Sequence, residues 1–451
     1  MTHDSRLTTT RFPVWHPFTQ MQVFVEENPP VIVAGEEFDL IDDHANRYLD
    51  GVSSLWCNVF GHRVPEIDSA IKRQVDRISH TTLLGLQSDV SIELAQKLVS
   101  VTPEGLNHVF YSDAGATSVE AALKIAIQYH AQKERPQKRH MFVRLSDAYH
   151  GDTIGSVSVG RMETFHHFYA PLLFETINVP SPGLSPLPQG QTRQTFYEDC
   201  LQQLEQAINR HREEIAAVII EPIVQGAAGV FVHPPGYLTR LRELTTQHGI
   251  LLIADEVAVG FGKTGTLFAC QQENVTPDIL CLAKGLTGGY LPLAATLTTS
   301  EIYDAFLGPP SARRTFFHGH TFTGNPLGCA AAIATLDLFA TRPVLEQVAT
   351  SEQILQDKLS PLIGHPHVRE IRQKGIMVGI DIVKNKATGE LFDPSLRQEH
   401  AIVREARKRG VIIRALGNVL FLMPAVAMPS ELVRQLAEVT VESFTHVMRD
   451  D

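Results

Sequence analysis

Through the middle of the chain, short runs of Ile, Leu, Val and Ala alternate with longer amphipathic stretches. Such runs, bounded by Gly or Pro, suit strands of a sheet covered on both faces, where no polar side has to alternate with an apolar one. Between about residues 107 and 300 the pattern predicts strands at 109–111, 141–144, 216–220, 249–254, 279–283 and 294–298. The segments between them are long enough for crossover helices, so an α/β fold with a parallel or mixed sheet and helices on both faces follows. Helical periodicity marks 65–78, 91–101 and an alanine-rich stretch at 327–339.

The flanks read differently. Residues 1 to about 60 look irregular, with a strand-like stretch at 31–33. The segment 180–190, rich in Pro, Ser and Gly, reads as a surface excursion, and 308–314 as a second loop. The last hundred or so residues look like a separate α+β unit. There a charged helix at 395–409 closes on cations and Gly410, followed by strands at 411–414 and 419–423 around a turn at Gly417 and Asn418. The expected division is 1–60 as the N-terminal part of a small domain, 61–330 as the large domain and 331–451 as the C-terminal part of the small one.

Composition narrows the class. The 451 residues are 43% hydrophobic and 20% charged, ordinary for a globular protein with a large core. A formal net charge of −11 argues against nucleic acid or an anionic membrane surface as partner. Five cysteines without paired CxxC spacing fit a reducing compartment. No apolar stretch of signal-peptide or membrane-spanning length is present, so a cytoplasmic location is expected.

Two strand ends carry the chemistry. The run at 249–254 ends on Asp255 and Glu256, and the run at 278–283 ends on Lys284 and Gly285. Working residues of parallel sheets gather at the carboxyl ends of strands. A buried amine and a buried acid there suit pyridoxal phosphate chemistry: the amine bonds the aldehyde, and the acid keeps the pyridine nitrogen protonated. Burial also frees a lysine's neutral amine as nucleophile and proton carrier. At Gly115 and Ala116 small residues open an amphipathic helix after a strand, where unpaired N–H groups favour a phosphate; alone, this reads more readily as an ordinary capped helix, and the phosphate reading gains only with Asp255 and Lys284 in the same sheet. Tyr149, in the YHGD turn, offers an aromatic face to a flat ring. Arg414 sits in an otherwise apolar strand and is expected to grip a carboxylate of the protein or of a substrate.

Two competing patterns are weaker. Gly260 to Gly265 match GxGxxG, but in mid-sheet and after the acidic pair, unlike a dinucleotide fingerprint. A P-loop would need glycine where Val257 stands. His150, His318 and His320 lack metal-ligand spacing, so no metal is expected.

Taken together, YSDAGATSVEAALK, YHGDT, IIEPIVQGAAG, LLIADEVAVGFGKTG, CLAKGLTGG and HGHTFTGNPLGCAAA resemble the class III aminotransferases of pyridoxal-phosphate fold type I, over nearly the whole chain. The resemblance implies a large domain with a mainly parallel sheet of the seven-stranded type and a smaller α+β domain built from both termini. It implies pyridoxal 5'-phosphate bonded to Lys284 and paired with Asp255 at the ring nitrogen, with Tyr149 and Val257 against the ring. Gly115 and Ala116 would hold the phosphate with His320 and Thr321 of the partner subunit. Gly319 and Arg414 would meet substrate, with Glu221 as the acid able to pair with that arginine. Active sites shared between two chains make a homodimer the expected minimum.

Within the family, WHPFTQM, SSLWCNVFGH and YHGDTIGSVSVG resemble the branch serving biotin synthesis. This implies an oxononanoate as amino acceptor and S-adenosylmethionine or lysine as donor. Phe18, Leu55 and Trp56 would line the substrate pocket; members using adenosylmethionine carry a tyrosine at the first position and a tryptophan pair at the other two. A lost hydroxyl removes a hydrogen bond, and a lost indole removes a packing surface. The other class III readings, an ω-amino acid or ornithine aminotransferase, are disfavoured by Ala258 where many of those carry glutamine. A nicotinamide-dependent dehydrogenase and a non-catalytic binding protein on the same fold are the readings from other classes.

Overall fold

The computed structural model describes residues 13–133 and 139–449. The residues 1–12, included in the N-terminal expectations, lie outside the described residues. Where the sequence pattern looked irregular, three short strands form an antiparallel meander: β1 (Ile32–Glu36), β2 (Asp39–Asp42) and β3 (Arg47–Asp50). Most of β1 is exposed, so no apolar alternation marks it. The turn before β3 is closed by Asp42, whose carboxylate accepts from the backbone of His44 and Asn46 and from the Tyr48 hydroxyl.

The central sheet holds β4 (Leu106–Ser112), β5 (Met141–Leu145), β6 (Ile177–Val179), β7 (Ile215–Ile220), β10 (Leu251–Asp255), β11 (Ile279–Leu282) and β12 (Ala294–Thr299). A two-stranded hairpin, β8 (Val224–Gln225) and β9 (Phe231–Val232), stands beside it. The seven strands run in the order β4-β12-β11-β10-β7-β5-β6. Only β12 is antiparallel to its neighbours, β11 and β4. Every residue of β7, β10 and β11 is buried, which explains why they read as unbroken apolar runs. The pattern missed β6 because it is three residues long with Asn178 exposed.

A second sheet contains β13 (Val368–Lys374), β14 (Met377–Ile382), β16 (Arg414–Leu416) and β17 (Val419–Leu422), all antiparallel. The strand expected at 411–414 is split. Its first half, β15 (Val411–Ile412), pairs in parallel with β3 and so joins the chain's two ends. Its second half opens β16 with Arg414, and buried Ile413 is the point of departure. The charged helix is shorter than expected, Gln398–Lys408, and follows a single turn at Pro394–Leu396.

Two loops also differ from expectation. The segment 180–190 is not wholly a surface excursion: Ser181, Pro182 and Gly183 are buried. A Cβ on Gly183 would lie 2.9 Å from the Val232 carbonyl oxygen, so the chain needs glycine to pass that strand. The GxGxxG segment at 260–265 folds as consecutive turns, with no helix opening from it. A dinucleotide pyrophosphate needs that helix N-terminus, so the dehydrogenase reading loses its site.

Candidate active site

Strands β10 and β11 run side by side, with Asp255 in register with Cys281. Lys284 follows at the carboxyl end of β11, opening the short turn Lys284–Thr287 with φ +50°. That left-handed conformation is uncommon for a residue with a Cβ. Burial lowers the Lys284 ammonium below its ordinary range, while Asp255 and Glu221 pull the opposite way. Its Nζ stands 5.0 Å from the centre of the Trp56 ring.

Asp255 is buried and held at both oxygens. His150 Nδ1 lies 2.7 Å from Oδ2, and the Val257 N–H donates to Oδ1 at 3.0 Å. A carboxylate only accepts, so this network assigns the imidazole proton to Nδ1. His150 Nε2 is buried without a hydrogen-bond partner among the described residues. In the sequence His150 stands out only as a possible metal ligand. Its pairing with Asp255 spans 105 positions, and no local spacing announces it.

The third wall is the start of helix Gly115–Gln132. Thr117 Oγ1 accepts the Ala114 N–H at 2.9 Å, closing the capping turn from within the helix. The N–H groups at Gly115 and Ala116 belong to the first turn, which has no intrahelical acceptors. A Cβ on Gly115 would sit 2.5 Å from Val257 Cγ1. Gly151, at φ +115°, meets Ala116 as closely. These two glycines bring the helix start, the Tyr149–His150 turn and the end of β10 around one cavity.

That cavity encloses about 630 Å³ and is lined by Gly115, Ala116, Tyr149, Asp255, Val257 and Lys284, among others. Its size falls in the range of small-molecule sites. Tyr149 donates its hydroxyl to Asp152 at 2.7 Å and its N–H to Glu221 at 3.1 Å. Glu221 also accepts from the Gly226 N–H at 2.9 Å, and burial pushes its carboxyl up to about 7.

A smaller compartment of about 130 Å³ adjoins the first. Phe18, Leu55, Trp56, Tyr149, Lys284 and Arg414 line it. Leu55 and Trp56 sit on a left-handed turn in which residues 53–56 take φ of 44°, 49°, 72° and 68°. Such a conformation costs about 1–2 kcal/mol per residue, so something must hold it. Asp50 does part of this, accepting from Ser54 Oγ at 2.7 Å while standing 3.5 Å from His62 Nε2.

Arg414 is half-buried, and burial lowers its pKa. Among the described residues no carboxylate pairs with it. The expected pairing with Glu221 is not formed, because Glu221 is engaged by the backbone of Tyr149 and Gly226.

Gly319, His320 and Thr321 do not line either compartment within one chain. His320 Nδ1 stands 3.7 Å from Asp113, and its N–H donates to Thr323 Oγ1 at 3.0 Å.

A half-buried lysine and a buried acid at adjacent strand ends, facing a helix N-terminus across one cavity, match the family resemblance in the sequence. The chain belongs to the class-III aminotransferases, whose family model matches residues 23–444. It is therefore an aminotransferase of the pyridoxal-phosphate-dependent kind, on a type I fold. Over 437 residues it is 52% identical to the adenosylmethionine-8-amino-7-oxononanoate aminotransferase of Nitratidesulfovibrio vulgaris, covering 97% of this chain and 79% of that one. The crystal structure of adenosylmethionine-8-amino-7-oxononanoate aminotransferase from Methanocaldococcus jannaschii aligns with a TM-score of 0.91 at 41% identity, over 96% of this chain and 97% of the other. An amine transaminase from an uncultivated Pseudomonas species, solved in its PLP-bound form, aligns at 0.89 with 35% identity, over 97% and 98% of the two chains.

Proposed function

We propose that the protein transfers an amino group to 8-amino-7-oxononanoate, forming 7,8-diaminononanoate for biotin synthesis, with S-adenosylmethionine or lysine as donor. The observation that carries this reading is Arg414. A guanidinium without an acidic partner among the described residues stands in a mostly apolar compartment that reaches Lys284. That arrangement suits an acceptor with a carboxylate at one end, an aliphatic chain, and a ketone at the other. The names of the relatives at 52% and 41% identity support the same choice.

The residues present fit pyridoxal 5'-phosphate. Gly115 and Ala116 would hold its phosphate at the helix start, Asp255 its ring nitrogen, and Tyr149 and Val257 its ring. When bound, the cofactor supplies a carbonyl for amines and an electron-accepting ring. Lys284 Nζ then serves as the base that moves the proton at the substrate carbon, a role suited to an amine whose pKa burial has lowered. His150 fixes the Asp255 carboxylate, and Trp56, itself buried, keeps water from the face of the Lys284 amine.

The same reading includes a homodimer with shared sites. Gly319, His320 and Thr321 lie outside their own chain's cavity, beside Phe317 at 88% exposure and not far in sequence from Phe322 at 56%. Large apolar side chains exposed near one another support an interaction surface at this segment; light scattering at the monomer mass would remove this part. Five free cysteines support a cytoplasmic location.

The deciding experiment gives purified holoprotein the oxononanoate with adenosylmethionine or with lysine and follows the diamine. Product with one donor is expected. No product with either removes the substrate assignment and leaves the aminotransferase class standing.

A further inference from the structure

Phe18 is carried by a segment with little hold on the core. The helix that follows it, Met21–Glu27, has no buried residue. Two of the segment's contacts are internal: His16 stacks on Phe24 at 4.1 Å, and Gln22 bonds Glu26 at 3.2 Å. Phe18 itself takes φ +49° and meets Phe165 edge-on at 5.5 Å.

An ionic tie also joins it to the rest of the chain. Glu27 Oε1 accepts from Arg397 at 2.7 Å and from Arg404 at 2.9 Å. Arg397 stands at the start of helix Gln398–Lys408, and Arg404 lies within it. That helix is anchored by buried Ile402 and Ala406, so one end of the bridge is fixed and the other is not. Arg397 also holds φ +49°, a conformation that a side chain engaged elsewhere helps to maintain.

The bridge bears directly on the substrate compartment. A cavity of about 530 Å³ lies outside it, lined by Glu27, Arg397 and His400 and also by Phe18 and Arg414. Phe18 and Arg414 line the inner 130 Å³ compartment as well. The two side chains are therefore the wall between an inner and an outer space.

We propose that Glu27, Arg397 and Arg404 are positioning residues: their bridge fastens the Phe18 wall and so sets how long a substrate the Arg414 compartment admits. With the bridge made, Phe18 stands between the inner compartment and the outer cavity, both of which reach Arg414. With it released, Phe18 keeps its edge contact with Phe165 but loses the fastening behind it, and the inner and outer cavities merge beside the guanidinium. The choice of keto acid in the test rests on the function proposed above; the fastening does not.

The test compares holoenzyme with Glu27→Gln. Amide hydrogen exchange across residues 17–27 should quicken about fivefold, and KM for the oxononanoate should rise by a similar factor with kcat little changed. Cofactor absorbance should stay as in the parent. A triple charge swap, Glu27→Arg with Arg397→Glu and Arg404→Glu, should return both readouts toward the parent, which a merely structural role would not do. Unchanged exchange in Glu27→Gln overturns the proposal, as does a joint loss of kcat and cofactor absorbance. If the parent itself does not turn over the oxononanoate, the substrate reading fails while the exchange comparison still decides the fastening.

Discussion

The two sides of the cavity are built on different principles. On one side Asp255 and Lys284 stand at the ends of fully buried strands, and both oxygens of Asp255 are engaged by buried or backbone donors. On the other side Phe18 is 53% exposed and Leu55 48%, on an ionically tied segment and a left-handed turn respectively. The sheet side gives geometry that cannot drift, which proton transfer at a fixed atom demands. The loop side gives a wall that can be changed without disturbing the sheet, where substrate choice can vary. On the function proposed above, reaction type and substrate choice would be carried by separable parts of one chain.

The harshest way to break this division is Lys284→Ala. If the sheet side alone holds the chemistry, transamination should fall about 10⁴-fold, the upper end of what a positioned acid–base group contributes. The visible absorbance of the bound cofactor should shift, since the amine that bonds its carbonyl is gone. Protein that purifies with the absorbance unchanged would refute the assignment of Lys284. Binding of the keto acid, measured by calorimetry, should change far less, because Arg414 is untouched.

How well the sequence foretold each side follows from the same contrast. Lys284 and Asp255 were legible because buried parallel strands write unbroken apolar runs, and the residues closing those runs stand out. Gly115 was legible as a helix start, but its need to be glycine comes from Val257, 142 positions away in the fold's own packing. The pairing of His150 with Asp255 is not legible, because the two are 105 positions apart in sequence. The left-handed turn at 53–56 could not be read at all: Ser-Ser-Leu-Trp contains no glycine or asparagine to signal positive φ. The split at Ile413 is not legible because an apolar run does not say which of two sheets each residue joins.

A smaller effect sharpens the rigidity of the sheet side. Glu256 is fully buried beside Asp255, and its oxygens accept the N–H groups of Ala269 at 2.6 Å and Cys270 at 2.8 Å. Burial pushes its carboxyl from an ordinary 4.5 to about 7. A raised folded-state pKa means that the native protein holds a proton which the unfolded chain releases between those values. Stability from this group is therefore full below the unfolded pKa and is lost as pH rises toward 7, by about 3 kcal/mol in all. Glu221, also raised to about 7, acts with the same sign. Urea unfolding of Glu256→Gln should accordingly show a shallower fall in stability between pH 4.5 and 7 than the parent. Equal slopes in the two proteins would show that Glu256 does not titrate in this window.

The mildest change tests the loop side alone. Phe18→Tyr adds one hydroxyl at the mouth of the 130 Å³ compartment, and Leu55→Trp adds an indole to its wall. A new hydrogen bond is worth about 1 kcal/mol, or about fivefold in kcat/KM. An aromatic face near a sulfonium adds a comparable attraction. Both variants should therefore move the ratio of rates with adenosylmethionine and lysine toward adenosylmethionine by roughly that factor. The acceptor's KM should move less, because its carboxylate answers to Arg414. Since neither residue touches Asp255 or His150, the cofactor spectrum should not change. A shifted spectrum with an unmoved donor ratio would mean that the two sides are coupled, and that the wall does not choose the donor.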